Sequence, residues 1–104
     1  MEFKYVVVQA VHRDDNTFHE VPMMFPCIIT HKDMFERTQR AFHENNLRPM
    51  KVVGAGFCAL DRAYDGGIVC YGRSESLGVA SRGTEDESAF ARCTKSQIST
   101  RIAQ

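Results

Sequence analysis

The stretch from residue 3 to residue 12 constrains the fold of this chain more than any other segment. Its sequence, FKYVVVQAVH, is rich in β-branched and aromatic residues, which favour extended backbone. Apolar side chains occupy both alternating faces of the segment, as expected for a strand that is covered on both sides. We therefore predict a central β-strand over residues 3–12.

A second strand is predicted from about Thr17 to Met24, after a polar turn. The turn runs from Arg13 to Asn16, where short polar side chains tolerate tight backbone angles and bond the backbone locally. Pro22 cannot donate a ladder hydrogen bond, so this strand is expected at a sheet edge. The two strands are predicted to form a β-hairpin.

The main helix is predicted over about residues 31–45. Thr30 followed by Asp33 fits a capping arrangement in which the threonine oxygen accepts a backbone N–H of the first turn. Apolar side chains then recur at helical spacing and form one stripe. The stripe consists of Met34, Phe35, Thr38, Ala41 and Phe42. Asn45 and Asn46 suit the C-terminal cap.

Two further strands are predicted over residues 50–60 and 68–72, paired as a hairpin across a glycine-containing loop. Gly54 and Gly56 lie in the middle of the first strand, where glycine marks a bulge, a bend or a place where another element packs close to the backbone. We expect that element to be a helix of the same chain rather than a ligand.

The C-terminal part of the chain is predicted to add a short strand and a short helix. The strand is expected around residues 76–80. Thr84 and Glu87 fit a second capping box, which opens a helix over about residues 85–94. Residues 95–104 hold few apolar anchors and are expected to fray or to dock on a partner.

The order of these elements, β β α β β (β) α, lacks the regular alternation of strand and helix that builds a parallel sheet. We therefore predict an α+β fold: an antiparallel sheet of four to five strands with both helices packed on one of its faces. A chain of 104 residues has the commonest size of a single domain, so residues 1–104 are taken as one domain.

The charge balance argues against several classes of partner. Thirteen Lys and Arg residues balance thirteen Asp and Glu residues, so no net positive charge attracts a nucleic acid, and none is expected to bind. Near-zero net charge eases self-association, which makes a homodimer a possible state. The longest apolar runs fall far short of the roughly 20 residues that span a bilayer, and no secretory signal is seen. We predict a cytoplasmic protein without membrane contact.

No catalytic residue, metal site or cofactor is predicted. Cys27 and His31 stand four residues apart, but structural zinc sites draw their ligands in close pairs from turns, and this is one loose pair. Cys58 and Cys70 lie in apolar strands, where a thiol behaves as a small inert hydrophobic group. We therefore rank an enzymatic function of this chain below a binding function.

The polar segment of residues 73–82 is the predicted binding surface, because loops held by a rigid scaffold often carry recognition residues. Its arginines are the expected anchors for an anion, since a guanidinium bonds phosphate or carboxylate in a bidentate fork. The predicted binding residues are Arg73, Ser74, Glu75, Ser76 and Arg82. The alternative is that the segment is a plain solvated connection between two elements.

The C-terminal half carries the motifs GFCALD and CYGRSESLGVASRGTEDESA. Over residues 53–93 these motifs resemble short uncharacterised proteins encoded by bacteriophages and prophages. The resemblance implies a small accessory protein that acts by binding a host or phage protein, for example as an inhibitor of a host system. It implies no catalytic residues.

Two other functional hypotheses remain open at this point. A small-ligand binding protein or enzyme would have a pocket near residues 73–82, with convergent polar groups in a concave site. A virion or assembly component would form a ring or lattice through repeated contacts between copies of the chain.

Overall fold

The computed structural model describes residues 2–61 and 67–95, apart from the side chains of residue 31 and of residues 93–95. Most of the loop predicted between residues 60 and 68 lies outside the described residues, and so does the predicted tail from residue 96 onwards. No helix in the described ranges is long and apolar enough to cross a membrane.

The predicted α+β fold is confirmed: the described residues form a four-stranded antiparallel sheet and two helices. The strands of the main sheet are β1 (Glu2–His12), β2 (Phe18–Pro26), β3 (Leu47–Leu60) and β4 (Ile68–Tyr71). The helices are α1 (His31–Glu44) and α2 (Thr84–Lys95). A separate small hairpin consists of β5 (Arg73–Ser74) and β6 (Val79–Ala80). The predicted fifth strand thus belongs to this hairpin and not to the main sheet.

β1 is an inner strand of the sheet, as the apolar character of both its faces predicts. The strand order is β2-β1-β3-β4, and each neighbouring pair is antiparallel. Pro22 lies opposite Val7 in the edge strand β2, which confirms its predicted place at an edge. A strand at the edge leaves one side of its backbone unpaired within the sheet, so the missing N–H of proline disrupts no inner ladder.

The two helices cover opposite faces of the sheet, and the prediction that both pack on one face is wrong. Val6 and the other even-numbered core residues of β1 cluster with Phe42 of α1. Tyr5 and Val7 form a second cluster, which includes Phe90 of α2. Successive side chains of a strand point to opposite faces, so these are two separate cores. A strand with apolar side chains on both faces requires another element to pack against each face.

The glycines of β3 allow two close approaches. A β-carbon at position 54 would stand 2.3 Å from a carboxylate oxygen of Asp86 in α2, so the predicted close packing of a helix is confirmed there. At Gly56, where φ is +155°, a β-carbon would stand 2.5 Å from the carbonyl oxygen of Tyr71. The close neighbour at this second position is the end of β4, not a helix.

The two helix starts differ in how well they were predicted. Thr30 caps α1, and its Oγ1 accepts the N–H of Asp33 at 3.2 Å. In α2 the first helical hydrogen bond runs from the N–H of Glu87 to the carbonyl of Gly83, at 3.0 Å. Gly83 therefore occupies the cap position, and the predicted capping box that begins at Thr84 is wrong.

Candidate functional site

A cavity of about 810 Å³ opens on the α1 side of the sheet. Strands β1 and β3 form its floor, α1 forms one wall and the β5–β6 hairpin forms the other. The floor residues are Lys4, Tyr5, Val6, Val8, Val52, Gly56 and Phe57. The wall residues are Met34, Phe35 and Thr38 of α1, and Arg73, Ser74, Glu75, Ser76 and Leu77 of the hairpin. A cavity of this size accommodates a small organic molecule.

Much of the cavity lining is apolar. Valine side chains of β1 and β3 contribute to its floor, and Met34 and Phe35 belong to its wall. Phe35 falls in the predicted apolar stripe of α1, yet its exposed fraction is 64%, because it lies at the cavity and not in the core. Leu77 on the opposite wall is also exposed. The apolar part of a ligand would lose its contact with water between these walls.

Two positive residues line the cavity, Lys4 on the floor and Arg73 on the hairpin wall. Lys4 is directly across the β1–β3 ladder from Phe57. The backbone nitrogen of Arg73 would be 3.1 Å from a β-carbon at position 56, so the glycine lets the hairpin approach β3 closely. Lys4 and Arg73 are therefore both anchored beside residues 56–57. Two positive side chains in the lining of a partly enclosed, largely apolar site favour an anion there.

The hairpin wall is organised around Ser74. Its carbonyl oxygen accepts the N–H of Gly78 at 2.9 Å, and its Oγ accepts the N–H of Leu77 at 3.3 Å. The Oγ of Ser76 lies 3.4 Å from that of Ser74. Hydroxyl groups both donate and accept hydrogen bonds, so this wall offers partners for an oxygen-rich head group.

The structure brings together four of the five predicted binding residues. Residues 73–76 line the cavity, whereas Arg82 lies on the α2 side of the sheet. That any of the five binds a ligand stays a prediction. Sequence analysis missed Lys4 and Thr38. Lys4 had a detectable signal, because a charged residue inside a mostly apolar inner strand is unusual and suggests a role other than packing.

Arg82 is held by carboxylates at the junction of α2 with the sheet. Its Nε donates to Oδ1 of the buried Asp86 at 2.7 Å, and its two terminal nitrogens each donate to Glu20 at 3.1 Å. The hydrogen bonds to Glu20 are the main cause of the raised pKa of Arg82. Tyr5 also donates to Asp86, at 2.5 Å, and burial together with this bond raises the pKa of Tyr5. The arrangement joins α2 to β1 and β2.

The buried cysteines are confirmed as core residues. Cys58 and Cys70 are directly opposite each other on β3 and β4, and both are free thiols. Burial raises the pKa of each to about 12. A thiol with so high a pKa stays protonated near neutral pH and is a poor nucleophile. Among the side chains of the described residues, no group of three or more His, Cys, Asp or Glu is arranged to hold a metal ion.

Comparison with known proteins changes the family assignment. The Janus/Ocnus family model matches residues 1–96. It is not a phage family, and the motifs of residues 53–93 lie within the matched region, so the resemblance to phage proteins and the phage origin inferred from it are wrong. No curated protein and no solved structure gave a match. The protein partner, the homodimer and the cytoplasmic location stay predictions.

Proposed function

This chain belongs to the Janus/Ocnus family, and we propose that it binds a small ligand with an apolar body and an anionic head group. The observation that carries the proposal is the cavity of about 810 Å³, in which Lys4 and Arg73 accompany a largely apolar lining. The ligand's body would pack against the valines of the floor and against Phe35. Its head group would bond to the two cations and to the hydroxyl groups of the hairpin.

Charge selects an anion over a neutral or cationic head group. Among the described residues that line the cavity, Lys4 and Arg73 are positive and Glu75 alone is a carboxylate, so their formal charge is positive although the chain as a whole is neutral. Hydrogen bonds between charged partners are roughly twice as strong as those between neutral ones. A guanidinium offers parallel donors to either a carboxylate or a phosphate. The apolar walls reduce competition from water for these bonds.

The binding test compares 2-naphthyl phosphate with 2-naphthol, which has the same apolar body without the charge. Isothermal titration calorimetry should show binding of the phosphate and an affinity at least about tenfold weaker for the naphthol. Arg73→Gln and Lys4→Met should each weaken phosphate binding by about tenfold, because each removes one charge-assisted hydrogen bond.

Arg92→Gln is the matched control for the arginine variant. Arg92 is exposed and pairs with Glu20 at 3.3 Å, but it lies on α2, outside the cavity lining. This variant should bind 2-naphthyl phosphate as the unmodified protein does. The proposal is rejected if the phosphate and the naphthol bind equally well, or if neither cavity variant loses affinity.

A second candidate function is the hydrolysis of a phosphate ester in the same cavity, and the position of His31 favours it. His31 is the first residue of α1 and precedes Met34, Phe35 and Thr38 by three, four and seven residues. Positions with this spacing share one face of a helix. Histidine transfers protons near neutral pH and can act as a nucleophile. The cations of the cavity lining, Lys4 and Arg73, would stabilise the charge on a transferred phosphoryl group.

Release of 2-naphthol from 2-naphthyl phosphate measures this second function, with water as the acceptor and inorganic phosphate as the other product. His31→Asn should abolish the release and leave the affinity for the probe within about threefold. His43→Asn, in the last turn of the same helix, is the control and should retain activity. Binding of the probe without any release by the unmodified protein would reject hydrolysis and leave the binding function intact.

A further inference from the structure

We propose that Glu75 sets the charge preference of the cavity, because its carboxylate weakens the binding of doubly charged head groups more than that of singly charged ones. The inference rests on the proposed binding function. Glu75 and Arg73 both line the cavity, and Oε1 of Glu75 lies 3.5 Å from Nε of Arg73. The carboxylate of the protein therefore stands where the anionic group of a ligand would bind the guanidinium.

The backbone of the hairpin holds this pair in place. Arg73 is paired with Ala80 in the β5–β6 ladder, and the hydrogen bonds around Ser74 fix the turn that carries Glu75. The ion pair involves Nε of Arg73, and the side chain of Glu75 is 86% exposed. An exposed pair with a single contact is weak, so an incoming anion can displace the carboxylate from the guanidinium.

A displaced Glu75 carboxylate remains close to the head group and repels it. The charged side chains that line the cavity, Lys4, Arg73 and Glu75, give a formal charge of +1. Lys4 and Arg73 attract both kinds of head group, whereas Glu75 opposes that attraction, and it opposes the binding of a doubly charged head group more strongly. The repulsion grows in proportion to the ligand's charge, because the Coulomb energy is proportional to the product of the two charges.

The test uses 2-naphthyl sulfate and 2-naphthyl phosphate at pH 8. The two probes have the same body and a tetrahedral head group, but the sulfate carries one negative charge and the phosphate carries two, since the second pKa of a phosphate ester is about 6. Glu75→Gln removes the repelling charge with little change of shape. Its affinity for the phosphate should rise by about fivefold and its affinity for the sulfate by about twofold, because the repulsion is halved for the singly charged probe.

Glu85→Gln is the matched control. Glu85 is 72% exposed and pairs with Arg82 at 3.4 Å, outside the cavity, so its replacement should leave the ratio of the two affinities unchanged. If the unmodified protein binds both probes and Glu75→Gln changes both affinities equally or neither, the role of Glu75 is overturned and the binding function stands. If the unmodified protein binds neither probe, the binding function fails and this inference fails with it.

Discussion

At the scale of single residues, Tyr5 connects the two sides of the sheet. Its hydroxyl donates to the Asp86 carboxylate at 2.5 Å and lies 2.7 Å from Oγ of Ser81, while its neighbour Lys4 belongs to the cavity on the other face. Asp86 is fully buried. A buried carboxylate is tolerated only when hydrogen bonds or ion pairs compensate for its lost hydration, so the hydroxyl of Tyr5 stabilises the attachment of α2.

Tyr5→Phe should lower the free energy of unfolding by about 1–3 kcal/mol, because one oxygen of the buried Asp86 carboxylate loses a hydrogen-bond donor. Urea denaturation measures the change. Tyr71→Phe is the control: the Tyr71 hydroxyl also bonds a carboxylate, that of Glu2, but at an exposed site, and its loss should cost less than about 0.5 kcal/mol. Equal losses of unfolding free energy in the two variants would show that the buried hydrogen bond to Asp86 stabilises the fold no more than the exposed one does.

At the scale of elements, local patterns were sufficient for most of the main sheet and for α1. The alternation of β1, the proline of β2 and the cap of α1 are each properties of a few neighbouring residues. The start of α2 was misplaced because Thr84 and Glu87 have capping-box spacing, whereas the side chain of Glu87 instead accepts the N–H of Cys70 at 3.0 Å. That bond joins residues 17 apart, so no local pattern reveals it.

The hairpin and the cavity could be predicted only in part. Residues 73–76 were recognised as a polar surface, but strands β5 and β6 have two residues each, too few to show alternation. The place of the hairpin depends on its close approach to Gly56, which is a tertiary contact. Lys4 becomes part of the site only through the register of β1 with β3. That strand register cannot be deduced from the composition of the chain or from the spacing of its residues.

The caps of the two helices give a prediction at this scale. Thr30→Ala should lower the free energy of unfolding by about 1 kcal/mol, because the N–H of Asp33 loses its acceptor. Thr84→Ala should change it by less than about 0.5 kcal/mol, since this threonine lies inside the first turn of α2 and alanine is a better helix former. Chemical denaturation of both variants measures the difference. A larger loss for Thr84→Ala would place the cap of α2 at Thr84 after all.

At the scale of the whole molecule, the two faces of the sheet differ in how they are filled. The α2 face is closed by an apolar cluster, by the two buried thiols and by the carboxylates that hold Arg82. The α1 face packs tightly around Phe42 but leaves the cavity where the hairpin replaces the helix as a wall. We infer that the α2 face secures the fold, and that the α1 face is free to bind a ligand.

The buried thiols and the buried tyrosine of the α2 face predict that the protein loses stability at alkaline pH. Burial raises the pKa of Cys58 and Cys70 from 9.0 to about 12, and raises that of Tyr5 as well. The folded protein keeps protons that the unfolded chain releases, so this stabilisation is complete below about pH 9 and is lost as the pH rises towards about 12. Each thiol should lower the free energy of unfolding by about 1 kcal/mol per pH unit in that window.

Urea denaturation between pH 8 and 11, with a reductant present, measures this slope. Cys70→Ala should make it shallower, because the alanine has no proton to release. Cys27→Ala, which replaces a half-buried thiol outside the two core clusters, serves as the control for the loss of one cysteine. A free energy of unfolding that is constant from pH 8 to 11 would contradict the raised pKa values inferred for the buried thiols and for Tyr5.

The central claim, that the cavity on the α1 face is the ligand site, is tested most directly by titrating the ¹⁵N-labelled protein with 2-naphthyl phosphate and recording its ¹H–¹⁵N spectra. The largest saturable shifts should fall on the amides of Lys4, Thr38 and residues 73–77, with small changes around Arg82 and Arg92. Largest shifts around Arg82 and Arg92, or no saturable shift at any amide, would contradict the claim.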